Sequence, residues 1–264
     1  MNPKIEQALV LTNQEISPGI FDLFLRTKIA CEAIPGQFVC LYPQNQSALL
    51  PRPISICQCD PMSQTLRLVY RVVGTGTREF ASYPPGEEIQ IVGPLGNGFP
   101  MEELLPLTTF GEKRSLLLVG GGIGIAPLLA VAQNAANVRT VLGYRNHDLF
   151  LEAQFSTFGK TYVATEDGSV QTKGTVISVL EEASLTADIL FACGPLPMLR
   201  AVKAYCEAHH ILAYLSLEER MACGIGACLG CVTKTNKVHP HTQVKNARIC
   251  TEGPVFMAQE VDLS

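Results

Sequence analysis

Four cysteines toward the carboxyl end carry the plainest chemistry. Cys223, Cys228 and Cys231 follow the spacing C-x4-C-x2-C, and Cys250 comes from a separate stretch further on. This is the ligand spacing of a plant-type [2Fe–2S] cluster. Two irons need four thiolates, so one tight loop supplies three and a second segment the fourth. Gly224, Gly226 and Gly230 lie inside that loop. Glycine enters positive φ without steric cost, which lets the loop fold back and turn its N–H groups toward the sulfurs. Structural zinc is the rival. His239 and His241 fall between the third and fourth cysteines and keep a mixed Cys/His site open. The paired CxxC or CxxC…HxxxH spacings usual for zinc do not occur. A disulfide framework does not suit a chain of this size that opens without a secretory signal.

A second set of residues points to phosphate. Arg52-Pro53-Ile54-Ser55 places a guanidinium, which can fork onto a phosphate, three residues before a hydroxyl. Alone, it reads more readily as a surface arginine beside a proline. Val69-Tyr70-Arg71 adds an aromatic and a second guanidinium, and Gly74-Thr75-Gly76-Thr77 adds small residues whose N–H and hydroxyl groups could cradle a pyrophosphate. Together the three favour a dinucleotide.

The third set is Gly120-Gly121-Gly122-Ile123-Gly124, between the apolar run 115–119 and a helix opening at Ala126-Pro127. Strand, glycine turn and helix form a phosphate-binding layout. The pattern departs from G-x-G-x-x-G, because Pro127 stands where a third glycine would. No acidic residue closes the next strand, 140–144, to hold a ribose hydroxyl. Cys193-Gly194-Pro195 follows another strand, at the edge where α/β sheets bind ligands. It reads equally well as a packed thiol and a turn.

The elements that must position these groups fall into three units. In residues 1–100, short β-type runs at 7–12, 20–25, 38–42, 54–57, 66–73 and 88–92 are separated by Pro, Gly and Asn, which predicts an antiparallel barrel. After a polar linker around 108–114, residues 101–213 alternate strands (140–144, 161–164, 189–192) with helices (176–182, 197–209). That alternation predicts a parallel α/β sheet. Residues 214–264 hold the cysteines as a small module.

Of the 264 residues 47% are hydrophobic, enough for a sizeable core, and the formal net charge of −4 gives no basic footprint for nucleic acid. No uncharged apolar run reaches the ~18 residues needed to span a bilayer. Ten cysteines with no signal peptide fit a reducing cytoplasm. The other six, Cys31, Cys40, Cys57, Cys59, Cys193 and Cys206, read as packing residues.

Taken in order, these motifs resemble the ferredoxin–NADP+ reductase-like flavoproteins. More narrowly they resemble the electron-transfer subunits of class B dihydroorotate dehydrogenases, on Arg52–Ser55, Leu95-Gly-Asn-Gly-Phe-Pro100, Gly120–Gly124, Cys193-Gly-Pro195 and Glu219–Cys231. The resemblance implies FAD at Arg52–Ser55, Val69–Arg71 and Gly76-Thr77, and NAD at Gly120, Gly121, Gly122, Gly124, Cys193 and Gly194. It implies a [2Fe–2S] cluster on Cys223, Cys228, Cys231 and Cys250. It further implies a relay in a heterotetramer of two copies of each subunit. An FMN-bearing catalytic partner oxidises dihydroorotate in pyrimidine biosynthesis, and electrons pass through the cluster and FAD to NAD+, with no acid or base needed from this chain. A subunit of the same build serving a hydrogenase or a transhydrogenase is the alternative. In the wider superfamily R-x-Y-[ST] supplies a tyrosine, where Ile54 stands here. That superfamily also often ends in an aromatic over the flavin, whereas this chain ends Val261-Asp-Leu-Ser264, so other residues must cover the ring. Arg145, at a strand end, could meet a 2′-phosphate and leaves NAD against NADP open on sequence alone.

Overall fold

Strands whose apolar residues alternate close on themselves in the first third of the chain. In the computed structural model, which describes residues 3–45, 48–105, 114–238 and 243–264, these are β1 (Lys4–Ser17), β2 (Ile20–Arg26), β3 (Phe38–Tyr42), β4 (Arg52–Asp60), β5 (Thr65–Arg71) and β6 (Glu88–Leu95). They form a closed antiparallel barrel in the order β1-β2-β5-β4-β3-β6. Leu23, Leu25, Val39, Leu41, Ile56, Leu66, Leu68, Tyr70, Ile89 and Ile91 fill it. The barrel is packed with its own side chains, so any ligand must bind outside it.

A short helix, α1 (Thr75–Ala81), leads from β5 toward β6. The Gly74–Thr77 stretch anticipated as a phosphate cradle is its start. Thr77 Oγ1 accepts hydrogen bonds from the N–H groups of Val73 (2.9 Å) and Gly74 (3.1 Å). Small residues without apolar periodicity hid this helix.

The second half is built on parallel pairing. After α2 (Met101–Leu104) come β7 (Leu116–Gly121), α3 (Leu128–Asn134), β8 (Val138–Tyr144), α4 (Glu152–Phe155), β9 (Lys160–Thr165), β10 (Thr172–Lys173), α5 (Val176–Glu182), β11 (Ile189–Cys193), α6 (Leu196–Ala208) and β12 (Leu212–Ser216). Near-continuous apolar runs such as Leu116–Gly121 and Ile189–Cys193, buried at every position, suit strands covered on both faces. The chain continues through β13 (Val232–Lys234), β14 (Asn246–Arg248) and β15 (Val255–Met257). The sheet order is β10-β9-β8-β7-β11-β12-β15, with β15 antiparallel to β12 and β13 paired only with β14. Residues after 213 therefore complete the sheet's edge. The linker expected at 108–114 lies largely outside the described residues, as do His239 and His241. Among the described residues no helix is long and apolar enough to cross a membrane.

Two seams join the units. The outward residues Phe38 and Cys40 of β3, with Val92 and Leu95 of β6, share a core with Cys231, Ile249, Cys250 and Phe256 of the carboxyl-terminal segment. On another side Ile20, Cys57, Val69 and Phe99 pack with Leu118, Ile125, Leu128 and Phe191. Phe99, 4% exposed, stacks on Phe191 with centroids 4.6 Å apart. Removing a buried aromatic costs about 3–5 kcal/mol, so Phe99→Ala is expected to lower the unfolding free energy measured in urea by about that much. A loss under about 1 kcal/mol would mean that this seam is not a shared core.

Candidate redox site

The cysteine loop is shaped by its glycines. Gly224 and Gly226 adopt positive φ, +69° and +80°. A Cβ on Gly224 would fall 2.6 Å from Cys40 Sγ, and one on Gly226 2.7 Å from the Thr251 methyl. The loop is thus pressed between barrel strand β3 and the segment after β14. Arg248 holds it from the second side, donating to Gly226 O (2.8 Å) while pairing with Glu252.

Within this frame the four thiols form two pairs. Cys223 and Cys228 are hydrogen-bonded, as are Cys231 and Cys250. The Cys228 N–H also reaches Cys223 Sγ, and the Gly230 N–H reaches Cys228 Sγ, both at 3.4 Å. Among the described residues no three His, Cys, Asp or Glu side chains converge on one ion position. Two pairs, with two thiolates for each iron and amides aimed at sulfur, fit a two-iron cluster better than a single tetrahedral zinc. Burial would raise the Cys223 thiol, but the N–H groups of Ile225, Cys228 and Ala227 outweigh it and bring it down to about 7. Burial, and then the adjacent Cys231, push Cys250 up to about 12. Cys40 is a fifth thiol beneath this site. It is fully buried, and its pKa is raised to about 12 by burial and then by Cys250, Cys223 and Cys231.

The flavin-type motifs converge on a cavity of about 930 Å³ lined by Arg52, Pro53, Ile54, Ser55, Val69, Tyr70, Arg71 and Thr77. Gly76 is required by closeness: a Cβ there would sit 2.7 Å from Arg52 Nε. Tyr70 borders the cavity, but its ring stacks with Phe21 (5.9 Å) and meets Phe80 edge-on inside the barrel core. It is therefore committed to packing, because strand alternation turns Val69 and Arg71 outward and Tyr70 inward. Cavity walls that sequence reasoning missed come from Ser216–Met221 and Pro254. Glu218 lies among them, and burial raises its carboxyl pKa, although the side chain keeps surface open to the cavity. Its place just past β12, at the carboxyl edge of the sheet, is the signal that could have found it.

A second cavity, about 770 Å³, opens over the glycine turn. Gly121 and Gly122 line it, and Gly122 has φ +54° with nothing within 4 Å of a Cβ. Gly120 and Gly124 serve packing: a Cβ on Gly124 would lie 2.6 Å from the Cys193 carbonyl and the Gly194 nitrogen. Cys193 is 1% exposed and outside both cavity linings; burial raises its thiol pKa. No acidic residue ends β8, but one follows the adjacent strand β9. Tyr144 pairs with Thr165, and Glu166 N–H donates to Tyr144 O at 3.1 Å, so Glu166 lines the cavity rim together with Arg145 and Asp148. Arg71 and Ile123 line both cavities. The two cavities therefore adjoin.

Comparison with known proteins agrees with this arrangement. Residues 218–262 match the iron-sulfur cluster binding domain of dihydroorotate dehydrogenase B. A Geobacillus protein named dihydroorotate dehydrogenase B (NAD(+)), electron transfer subunit, is 41% identical over 98% of this chain and 99% of its own. An Enterococcus faecalis protein of the same name is 40% identical over the full length of both. Among solved structures, an NADH-dependent reduced ferredoxin-NADP oxidoreductase described for flavin-based electron bifurcation superposes with a TM-score of 0.83 at 27% identity, covering 98% of this chain and 90% of that one. A Neisseria gonorrhoeae ferredoxin NADP+ reductase with bound FAD and NADP shares the fold, with a TM-score of 0.63 at 16% identity over 78% of this chain and 92% of that one. With identity near 40% along its whole length, the chain belongs to the family of dihydroorotate dehydrogenase B electron transfer subunits.

Proposed function

We propose that this chain is the NAD+-facing subunit of a two-protein oxidoreductase, receiving electrons from an FMN-bearing catalytic subunit that oxidises dihydroorotate to orotate. The stoichiometry balances. Dihydroorotate gives up two electrons and two protons, NAD+ takes both electrons and one proton, and one proton is released. The observation that carries this reading is continuity. Ser216–Met221 wall the flavin cavity and run within two residues into Cys223, while Arg71 and Ile123 border flavin and nucleotide cavities alike. When bound, FAD supplies the exchange between single electrons and a hydride, and the cluster supplies single-electron passage.

The chain's own residues bind and orient. Arg52, Ser55 and Arg71 are placed to take the flavin's phosphates and polar edge, with Gly76 leaving room for the Arg52 guanidinium. Gly121 and Gly122 offer backbone to the nucleotide pyrophosphate, and Gly124 holds the turn against Cys193-Gly194. Cys223, Cys228, Cys231 and Cys250 hold the irons. Ile225 and Leu229, 53% and 76% exposed on the cluster loop, form the apolar tip onto which the catalytic subunit docks, in a heterotetramer of two copies of each. Electron transfer falls steeply with distance, which favours docking at the cluster itself. The resemblance to a bifurcating ferredoxin-NADP oxidoreductase supports a transhydrogenase-type partner as the second reading, at 27% identity against 41% for the dihydroorotate family.

NAD is favoured over NADP because Glu166 and Asp148 stand at the cavity rim. A carboxylate there accepts hydrogen bonds from a ribose diol and repels a 2′-phosphate. Glu166→Gln is expected to raise kcat/KM for NADPH relative to NADH by roughly tenfold in steady-state assays; an unchanged ratio would remove Glu166 from this role. Cys228→Ser should leave the bleaching of FAD by NADH intact and abolish dihydroorotate-driven NADH formation in the complex. If that formation survived, the relay through the cluster would be wrong.

A further inference from the structure

Resting on this assignment of the two cavities, we propose that Arg67 is a positioning residue that fixes the flavin against the nicotinamide by locking the barrel to the nucleotide domain. Among the described residues Arg67 is the one charged side chain that is buried, at 7% exposure. Its guanidinium forks onto Asp22, Nε to Oδ1 at 2.8 Å and Nη2 to Oδ2 at 2.7 Å. Nη1 donates to Gln58 Oε1 (2.6 Å) on the barrel and to Gln154 Oε1 (2.7 Å) on α4 of the nucleotide domain. Gln58 Nε2 carries the network on to Gln133 Oε1 (2.7 Å) at the end of α3. One buried cation therefore holds two strands of the barrel and joins them to two helices across the seam.

Its place on β5 ties this network to the reaction. Alternation puts Arg67, Val69 and Arg71 on one face of the strand. Val69 and Arg71 line the flavin cavity, and Arg71 lines the nucleotide cavity as well. The apolar part of the seam, Phe99 on Phe191 and Val69 beside Ile20 and Cys57, supplies burial but little direction, since hydrophobic contact is non-directional. A planar fork bonded on every side resists sliding in two directions. Breaking a buried ion pair leaves an uncompensated charge, whereas such pairs add little net stability and are retained in some proteins for the register they impose. Register matters here, because hydride passes only at near-contact and a displacement of about 1 Å can cost 10²-fold in rate. The step is balanced: NADH is oxidised to NAD+, and the hydride with one proton converts FAD to its two-electron reduced form.

Gln154 is the site for the test, since it lies at the exposed end of the network and its replacement leaves the Arg67–Asp22 fork in place. The experiment is anaerobic stopped-flow on the FAD- and cluster-loaded complex with its catalytic partner, with NADH and dihydroorotate mixed in separately. Gln154→Leu is expected to slow flavin reduction by NADH about tenfold, with NADH Kd, FAD content and dihydroorotate-driven cluster reduction unchanged. Gln154→Glu keeps an acceptor oxygen for Arg67 and should restore the rate; Gln133→Leu should give a smaller loss of the same kind. The proposal is overturned if Gln154→Leu reduces flavin at the wild-type rate, if only the Kd moves, or if both half-reactions slow together as general loosening would make them. Absence of NADH-driven bleaching in the wild-type complex would instead overturn the assignment of the two cavities and leave the network as architecture alone.

Discussion

Electron and hydride transfer both demand near-contact, and this one constraint organises the molecule. The sites proposed for a cluster, a flavin and a nicotinamide are different kinds of structure: a cysteine loop, an outward barrel face and a glycine turn. The carboxyl edge of the parallel sheet is where they meet. Gly121 ends β7 and Gly122 and Ile123 follow it, Glu166 follows β9, and Ser216 ends β12, from which Leu217–Met221 lead directly into the cysteine loop. Open α/β sheets bind ligands at this edge. Here the same edge brings the flavin cavity between the other two sites.

Holding three sites in line makes the seams as important as the sites. The carboxyl-terminal segment is anchored twice, by β15 on the edge of the large sheet and by a core shared with Phe38, Cys40, Val92 and Leu95 of the barrel. Phe38 borders the flavin cavity, and Cys40, two residues along the same strand, lies under three of the cluster cysteines. One face of β3 therefore borders both the cavity and the cysteine loop. The close fit of Cys40 against Gly224 favours glycine there, by space as well as by its positive φ.

What could be read from the sequence was what is local. C-x4-C-x2-C, Arg52–Ser55 and Gly120–Gly124 are each legible because their residues lie within a few positions of one turn. The barrel and the parallel sheet were legible because their strands keep period 2 or run continuously apolar. What escaped was set by neighbours distant in sequence. Glu166 matters because β9 lies beside β8, and Ser216–Met221 because β12 ends beside the barrel. Arg67 matters because Gln154, 87 residues on, meets it across the seam. Tyr70 borders the cavity while its ring packs in the barrel core, a double placement that strand alternation alone does not give. Thr77 both lines the cavity and opens α1, since a short helix start and a phosphate loop use the same small residues.

The central claim is that one chain holds an unbroken route from nucleotide to cluster. It is tested most directly by adding NADH alone, without oxygen, to the purified FAD- and cluster-loaded protein, and recording flavin absorbance and low-temperature electron paramagnetic resonance on the same sample. The expected result is bleaching of the flavin together with the signal of a reduced [2Fe–2S] centre, lost in Cys228→Ser while the bleaching remains. Bleaching without any cluster signal in the wild-type protein, at potentials where the cluster is independently shown to be reducible, would contradict it.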